Sequence, residues 1–97
     1  MEHPEIAKAV LIVGSQTALA TAIGAKQQQI WNWLSGGVAA PAWACAGMES
    51  ATGGKVLAEK VNTALRWVRV PDADWPHPDG RPCIDVAATA PEPAKAA

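Results

Sequence analysis

Apolar residues recur every three and four positions from the start of the chain. Ile6, Ala9, Val10 and Val13 fall at i, i+3, i+4 and i+7, one face of a helix. Pro4 is acceptable in its first turn, Glu5 suits the positive end of the helix dipole, and Gly14 can close it in a left-handed conformation. Ser15 is a good N-cap for a second helix over Gln16 to Ile23, with Leu19, Ala20 and Ile23 as its apolar face. Gly24 ends that helix. A third is predicted from Gln27 to Leu34, with Ile30, Trp33 and Leu34 at i, i+3 and i+4. "SGGVAAP" is a loop by composition. A fourth helix is predicted over Ala42 to Ala51, with Gly47 inside it costing ~1 kcal/mol relative to alanine. A short fifth covers Leu57 to Thr63. After Thr63 the period falls to two: "RWVRV" (Arg66 to Val70) and "CIDVA" (Cys83 to Ala87) alternate as strands do. Between them "PDADWPHPDGRP" holds four prolines and a glycine and is a loop. The last ten residues, "ATAPEPAKAA", read as a disordered tail.

The second and third predicted helices carry the chemistry. Two short helices joined by a glycine-centred turn make a helix-turn-helix unit. Its helices cross closely, so the fifth residue of the unit must be small, and Ala20 is. Its turn needs a positive φ without steric cost, and Gly24 supplies one. Leu19, Ile23, Ile30 and Trp33 are spaced to bury the inner faces of both helices. With Ile30, Trp33 and Leu34 inward, the outward face of the third helix carries Gln27, Gln28, Trp31 and Asn32. A recognition helix lies in the major groove and reads bases mainly with its N-terminal residues. Glutamine suits that task because its amide both donates to N7 and accepts from N6 of adenine.

Composition narrows the picture without redirecting it. Ninety-seven residues make one folded unit, 49% hydrophobic, and alanine accounts for much of that. Phe and Tyr are absent, so Leu, Ile, Val and five tryptophans must build a small core. "MEHPEIAKAV" is not a secretory signal, and "VAAPAWACAGM" is too short for a membrane span, so a cytoplasmic protein with no membrane partner is expected. Cys45 and Cys83 lack the spacing of a metal site, His3 and His77 are assigned no chemistry, and neither metal nor cofactor is expected. The net charge of −1 is uneven: residues 1 to 70 hold six Lys and Arg against four Glu, and residues 71 to 97 hold two against five Asp and Glu. A front of net +2 permits nucleic-acid binding with few phosphate contacts and therefore a shallow salt dependence.

"GSQTALATAIGAKQQQIWNWLSGG", followed by "MESATGGKV", resembles the Cro-like, YdaS-type antitoxin family of prophages, small relatives of the phage λ repressor DNA-binding domain. The resemblance covers roughly Ile6 to Val70. It rests on Gly14, Ser15, Gln16, Ala18, Leu19, Ala20, Gly24, Gln27, Gln28, Ile30, Trp33, Leu34 and Pro41. The chain departs from the pattern at several places. Lys26 stands where Ser or Thr caps the recognition helix, and loss of such a cap costs ~1 kcal/mol. Ala25 replaces a larger apolar residue, thinning the core beneath the turn. Trp31 takes an outward position usually small and polar. Trp43 and Ala44 replace charged residues of the fourth helix, so Trp31 and Trp43 both point outward.

The resemblance implies a mainly α fold: a λ repressor-like bundle of about five short helices over residues 1–65, an extended or β-hairpin segment over 66–87 with a possible role in dimerisation, and a tail over 88–97. It implies a sequence-specific, Cro-like transcriptional repressor that binds double-stranded DNA as a homodimer. Gln27, Gln28 and Asn32 would read base edges, with Trp31 on the same face. Ser15, Gln16 and Thr17 at the start of the second helix, with Lys26 and Ser35, would contact phosphates. "RWVRV" would pair with its own copy or with "CIDVA". The alternative is an antitoxin that binds and neutralises a partner toxin through the outward tryptophans and the acidic, Pro-rich rear. An enzyme is not expected, because the chain shows no nucleophile–base pair, phosphate loop or metal-ligand cluster.

Overall fold

Among the described residues, five helices and a hairpin follow one another in the predicted order: α1 (Pro4–Val13), α2 (Gln16–Ile23), α3 (Gln27–Leu34), α4 (Ala42–Ala51), α5 (Ala58–Val61), β1 (Trp67–Val70) and β2 (Arg81–Ile84). The structure is a computed structural model that describes residues 3–84. The expected strand residues Asp85 to Ala87 and the tail 88–97 lie outside the described residues.

Helix ends form for local reasons. His3 caps α1, its Nδ1 accepting the Ile6 N–H, while Ser15 Oγ caps α2 by accepting the Ala18 N–H at 3.0 Å. His3 Nε2 also lies 2.6 Å from the Val61 carbonyl oxygen, so the ring serves both contacts as the Nε2-protonated tautomer. His3, assigned no role from sequence, thus ties the start of α1 to the end of α5. Gly24 ends α2 in the left-handed region at φ +78°, and its N–H returns to the Ala20 carbonyl. Helix α5 is shorter than the predicted Leu57 to Thr63. Its end is set by Asn62, which is extended and spends its side chain on the Ala40 carbonyl and the Ala64 N–H.

The core gathers one face from each helix: Ile6 and Ala9, Leu19 and Ala20, Ile30, Trp33 and Leu34, then Ala44, Cys45 and Met48, closed by Val56, Ala58 and Val61. Val10, Val13, Ile23 and Ala25 are half-buried against it. Ala44 is fully buried, so its position is not the surface site suited to a charge that comparison with the family pattern suggested. Trp43 beside it is half exposed and packs edge-on against the buried Trp33, with ring centroids 5.8 Å apart. Gly47 is explained by α2: a Cβ there would lie 2.9 Å from Ile23 Cβ, so only glycine lets the two helices approach this closely. The Cys45 thiol is buried, and burial pushes its pKa up to about 12, which leaves it unreactive.

The hairpin pairs within the chain. β1 and β2 are antiparallel, with Trp67 opposite Ile84, Val68 opposite Cys83, Arg69 opposite Pro82 and Val70 opposite Arg81. "RWVRV" thus pairs with the start of "CIDVA", at Cys83 and Ile84. β2 begins at Arg81, two residues before the predicted strand, because a two-stranded sheet has only edges and an edge accommodates Pro82.

A buried charge network fastens this hairpin to the helices. Glu49 of α4 is wholly buried, and its carboxylate accepts from the Ala58 N–H (2.8 Å), the Trp75 indole N–H (2.8 Å) and both Arg69 Nη groups. Arg69 of β1 also donates to Glu59 and, at 2.9 Å, to the Gly80 carbonyl. Burial pushes the Glu49 carboxyl up, but the Arg69 guanidinium and the two N–H donors outweigh it and hold the group below the usual carboxylate range. The bonds to Glu49 in turn raise Arg69 above its ordinary value.

Candidate nucleic-acid interface

The starts of α2 and α3 are brought side by side. Gln16, the first residue of α2, and Gln27, the first of α3, are joined through their side chains: Gln27 Nε2 donates to Gln16 Oε1 at 2.7 Å. Glycine at 24 allows the sharp reversal between them, and the Ala25 N–H closes it on the Ala20 carbonyl at 2.9 Å. Neither first turn contains an acidic residue. Two positive helix ends with unbonded N–H groups therefore lie together, with no carboxylate in the first turn of either helix.

Each predicted contact residue has a definite place. Ser15 caps α2 and is exposed, Thr17 is exposed in its first turn, and Gln16 is half-buried between the two helices. Lys26 is exposed at the N-cap of α3, followed by exposed Gln27 and Gln28. Gln28 Nε2 donates to Asn32 Oδ1 at 3.1 Å, one turn along, which braces both amides on one face. Trp31 stands beside them, 48% exposed. Ser35 is not brought into this group. It is the C-cap of α3, at the opposite end from Gln27, and its hydroxyl donates to the Asn32 carbonyl at 3.1 Å.

The missing Ser or Thr cap on α3 is made good by a residue given no role from sequence. Gln29 Oε1 accepts the Lys26 N–H at 2.9 Å, the return half of a capping box. An ammonium cannot accept a hydrogen bond, so Lys26 leaves the other half unmade and keeps its charge at the mouth of the helix pair. The signal was present as a Gln three residues after the N-cap.

The unit therefore offers Gln16, Gln27, Gln28 and Asn32 amides with unused donors and acceptors, one ammonium and two helix N-termini on one surface. Among the described residues, no group of three His, Cys, Asp or Glu side chains is placed to hold a metal ion. No single helix among them is long and apolar enough to cross a membrane.

A family model described as "Bacterial toxin YdaS" matches residues 6–78, from the first core residue of α1 to the loop before β2. The chain belongs to the YdaS family. A YdaS relative from Escherichia coli (strain K12), named "Putative transcriptional regulator YdaS", is 32% identical over 74 residues, which cover 76% of this chain and 67% of the relative. No solved structure matches the chain. The YdaS match reaches past α5 and β1 and takes in Trp75, so it includes every partner of Glu49, and leaves out only Gly80, whose carbonyl accepts from Arg69. The family description names a toxin, where the sequence resemblance implied an antitoxin.

Proposed function

We propose that this YdaS-family protein is a sequence-specific transcriptional regulator that binds double-stranded DNA by placing α3 in the major groove, as a Cro-like repressor does. The Gln16–Gln27 bond carries this reading. It fixes the Gln27 amide at the front of α3 while leaving its oxygen and second N–H unused, the pair an adenine edge requires. It also leaves the Gln16 amino group to donate to a phosphate at the start of α2. Gln28 and Asn32, braced on each other, read the adjoining base edges, and Ser15, Thr17 and Lys26 meet the backbone. Support also comes from the relative whose name calls it a transcriptional regulator. Two copies would engage half-sites about one DNA turn apart.

Selection from a random-sequence duplex library, followed by binding titration, tests the proposal. The full chain should enrich a two-fold motif, and Gln27→Ala should weaken the enriched duplex by roughly 5- to 150-fold, the ~1–3 kcal/mol of one bidentate contact. Absence of any enriched sequence at low salt would overturn it.

A second reading, binding of a partner protein in a toxin–antitoxin pair, is favoured by the family description together with the exposed side chains of Leu11, Val38 and Trp43, none of which belongs to α3. Loss of duplex binding in Gln27→Ala with an unchanged effect on cell growth would place the two activities on different surfaces.

A further inference from the structure

Trp31 has no work in the core. Trp33, two residues on, is 4% exposed and is packed against Trp43, and Ile30 and Leu34 complete the inward face of α3. Trp31 sits on the flank of that face, 48% exposed, three residues from Gln28 and next to Asn32. Gln28 and Asn32 are already bonded to each other at 3.1 Å, so the surface around the indole is a braced polar one.

In the major groove the base edges present donors and acceptors at every pair, and the only apolar group among them is the C5-methyl of thymine. A half-exposed aromatic placed among amide readers loses hydration on docking and regains contact only from such a methyl. Resting on the DNA-binding reading above, we propose that Trp31 is a specificity-determining residue that reads the 5-methyl group of a pyrimidine. The pyrimidine is thymine in unmodified DNA, and 5-methylcytosine presents the same group. Three residues of helix span ~4.5 Å, and neighbouring base pairs are ~3.4 Å apart. The methyl therefore belongs to a pair within about two steps of the base read by Gln28.

The test uses the full chain and the duplex it enriches from a random library. Each thymine is replaced singly by deoxyuridine, which removes one methyl and leaves every hydrogen-bonding group in place. At one thymine per half-site, within about two steps of the position whose base preference is lost in Gln28→Ala, affinity should fall about fourfold, the value of one buried carbon. With cytosine at that position, 5-methylation should raise affinity by a similar factor. In Trp31→Ala both differences should vanish, while an unchanged thermal midpoint shows that the fold is intact. Trp31→Phe should keep part of the discrimination.

A bound duplex whose affinity ignores every thymine methyl overturns the proposal, as does equal methyl sensitivity in Trp31→Ala. A flat scan combined with an altered sedimentation coefficient in Trp31→Ala also overturns it, and makes the indole a protein contact. If no duplex is enriched, the DNA-binding reading itself fails, and the methyl reading with it.

Discussion

Ile23 and Gly47 show how one side chain decides a helix–helix distance. Alanine at 47 would relieve a poor helix former by ~1 kcal/mol. Its Cβ, however, would stand 2.9 Å from Ile23 Cβ and 3.0 Å from Cγ2, atoms close to the α2 backbone that cannot swing aside. Overpacking of this kind costs ~1–3 kcal/mol, so the steric term wins. Gly47→Ala should lower the thermal midpoint by several degrees, at ~4–8 °C per kcal/mol for a domain this small. A rise would mean that α2 and α4 do not approach this closely. The residue-scale surprise in the other direction is His3. Its two ring nitrogens hold the Ile6 N–H and the Val61 carbonyl, contacts 3 and 58 positions away. Only the first lies within reach of sequence reasoning.

Among the elements, α3 depends on how its first turn is capped. Gln29→Ala removes the acceptor of the Lys26 N–H and should destabilise the protein by ~0.5–1 kcal/mol, read from chemical denaturation. Lys26→Ser should do the opposite, adding the missing side-chain cap and ~1 kcal/mol. The same change removes an ammonium from the proposed phosphate surface, so DNA affinity should fall and the log–log salt slope should shrink by about one. Stability and binding would move in opposite directions, which a purely structural role for Lys26 does not produce. For the hairpin, alternation marked "RWVRV" correctly, whereas the prolines of the following loop hid the first two residues of β2. Pro82 is legible as a strand residue only once its position on an edge is known.

On the scale of the molecule, the Glu49 network joins helices and hairpin into one body. Arg69→Ala strands a wholly buried carboxylate, and breaking a buried pair in this way costs ~3–5 kcal/mol, a large part of the stability of a small domain. Loss of the cooperative urea transition, or a much lower midpoint, is the expected result. Acid should act through the same carboxylate. Unfolded Glu49 takes up its proton near pH 4.3, and folded Glu49 only at lower pH, because burial is outweighed by Arg69 and the two N–H donors. Its contribution to stability is therefore complete well above that pH and declines as pH falls through the lowered folded value. Urea midpoints followed as the pH is lowered should trace this acid limb. The network also consumes the charge of Arg69 internally, leaving the front of the chain few cations for phosphate. The salt slope of DNA binding should accordingly be shallower than about −4 in log–log terms, and a steeper slope would mean phosphate contacts beyond those placed here.

The helix-turn-helix was legible because its determinants are local. Ser15, Ala20 and Gly24 act within a turn of where they stand, and Leu19, Ile30 and Trp33 announce their faces by spacing alone. Trp31 and Trp33 could be separated into outward and inward for the same reason. What only the tertiary structure decided are the contacts between distant residues whose types signal nothing. Glu49 reads as one more polar helix residue, Arg69 as an alternating strand position and Trp75 as part of a loop, until folding puts them within hydrogen-bonding distance. The same holds for the bond between Gln16 and Gln27, eleven residues apart. Periodicity reports which side of an element is apolar; it carries no information about which two polar side chains, once desolvated, will meet.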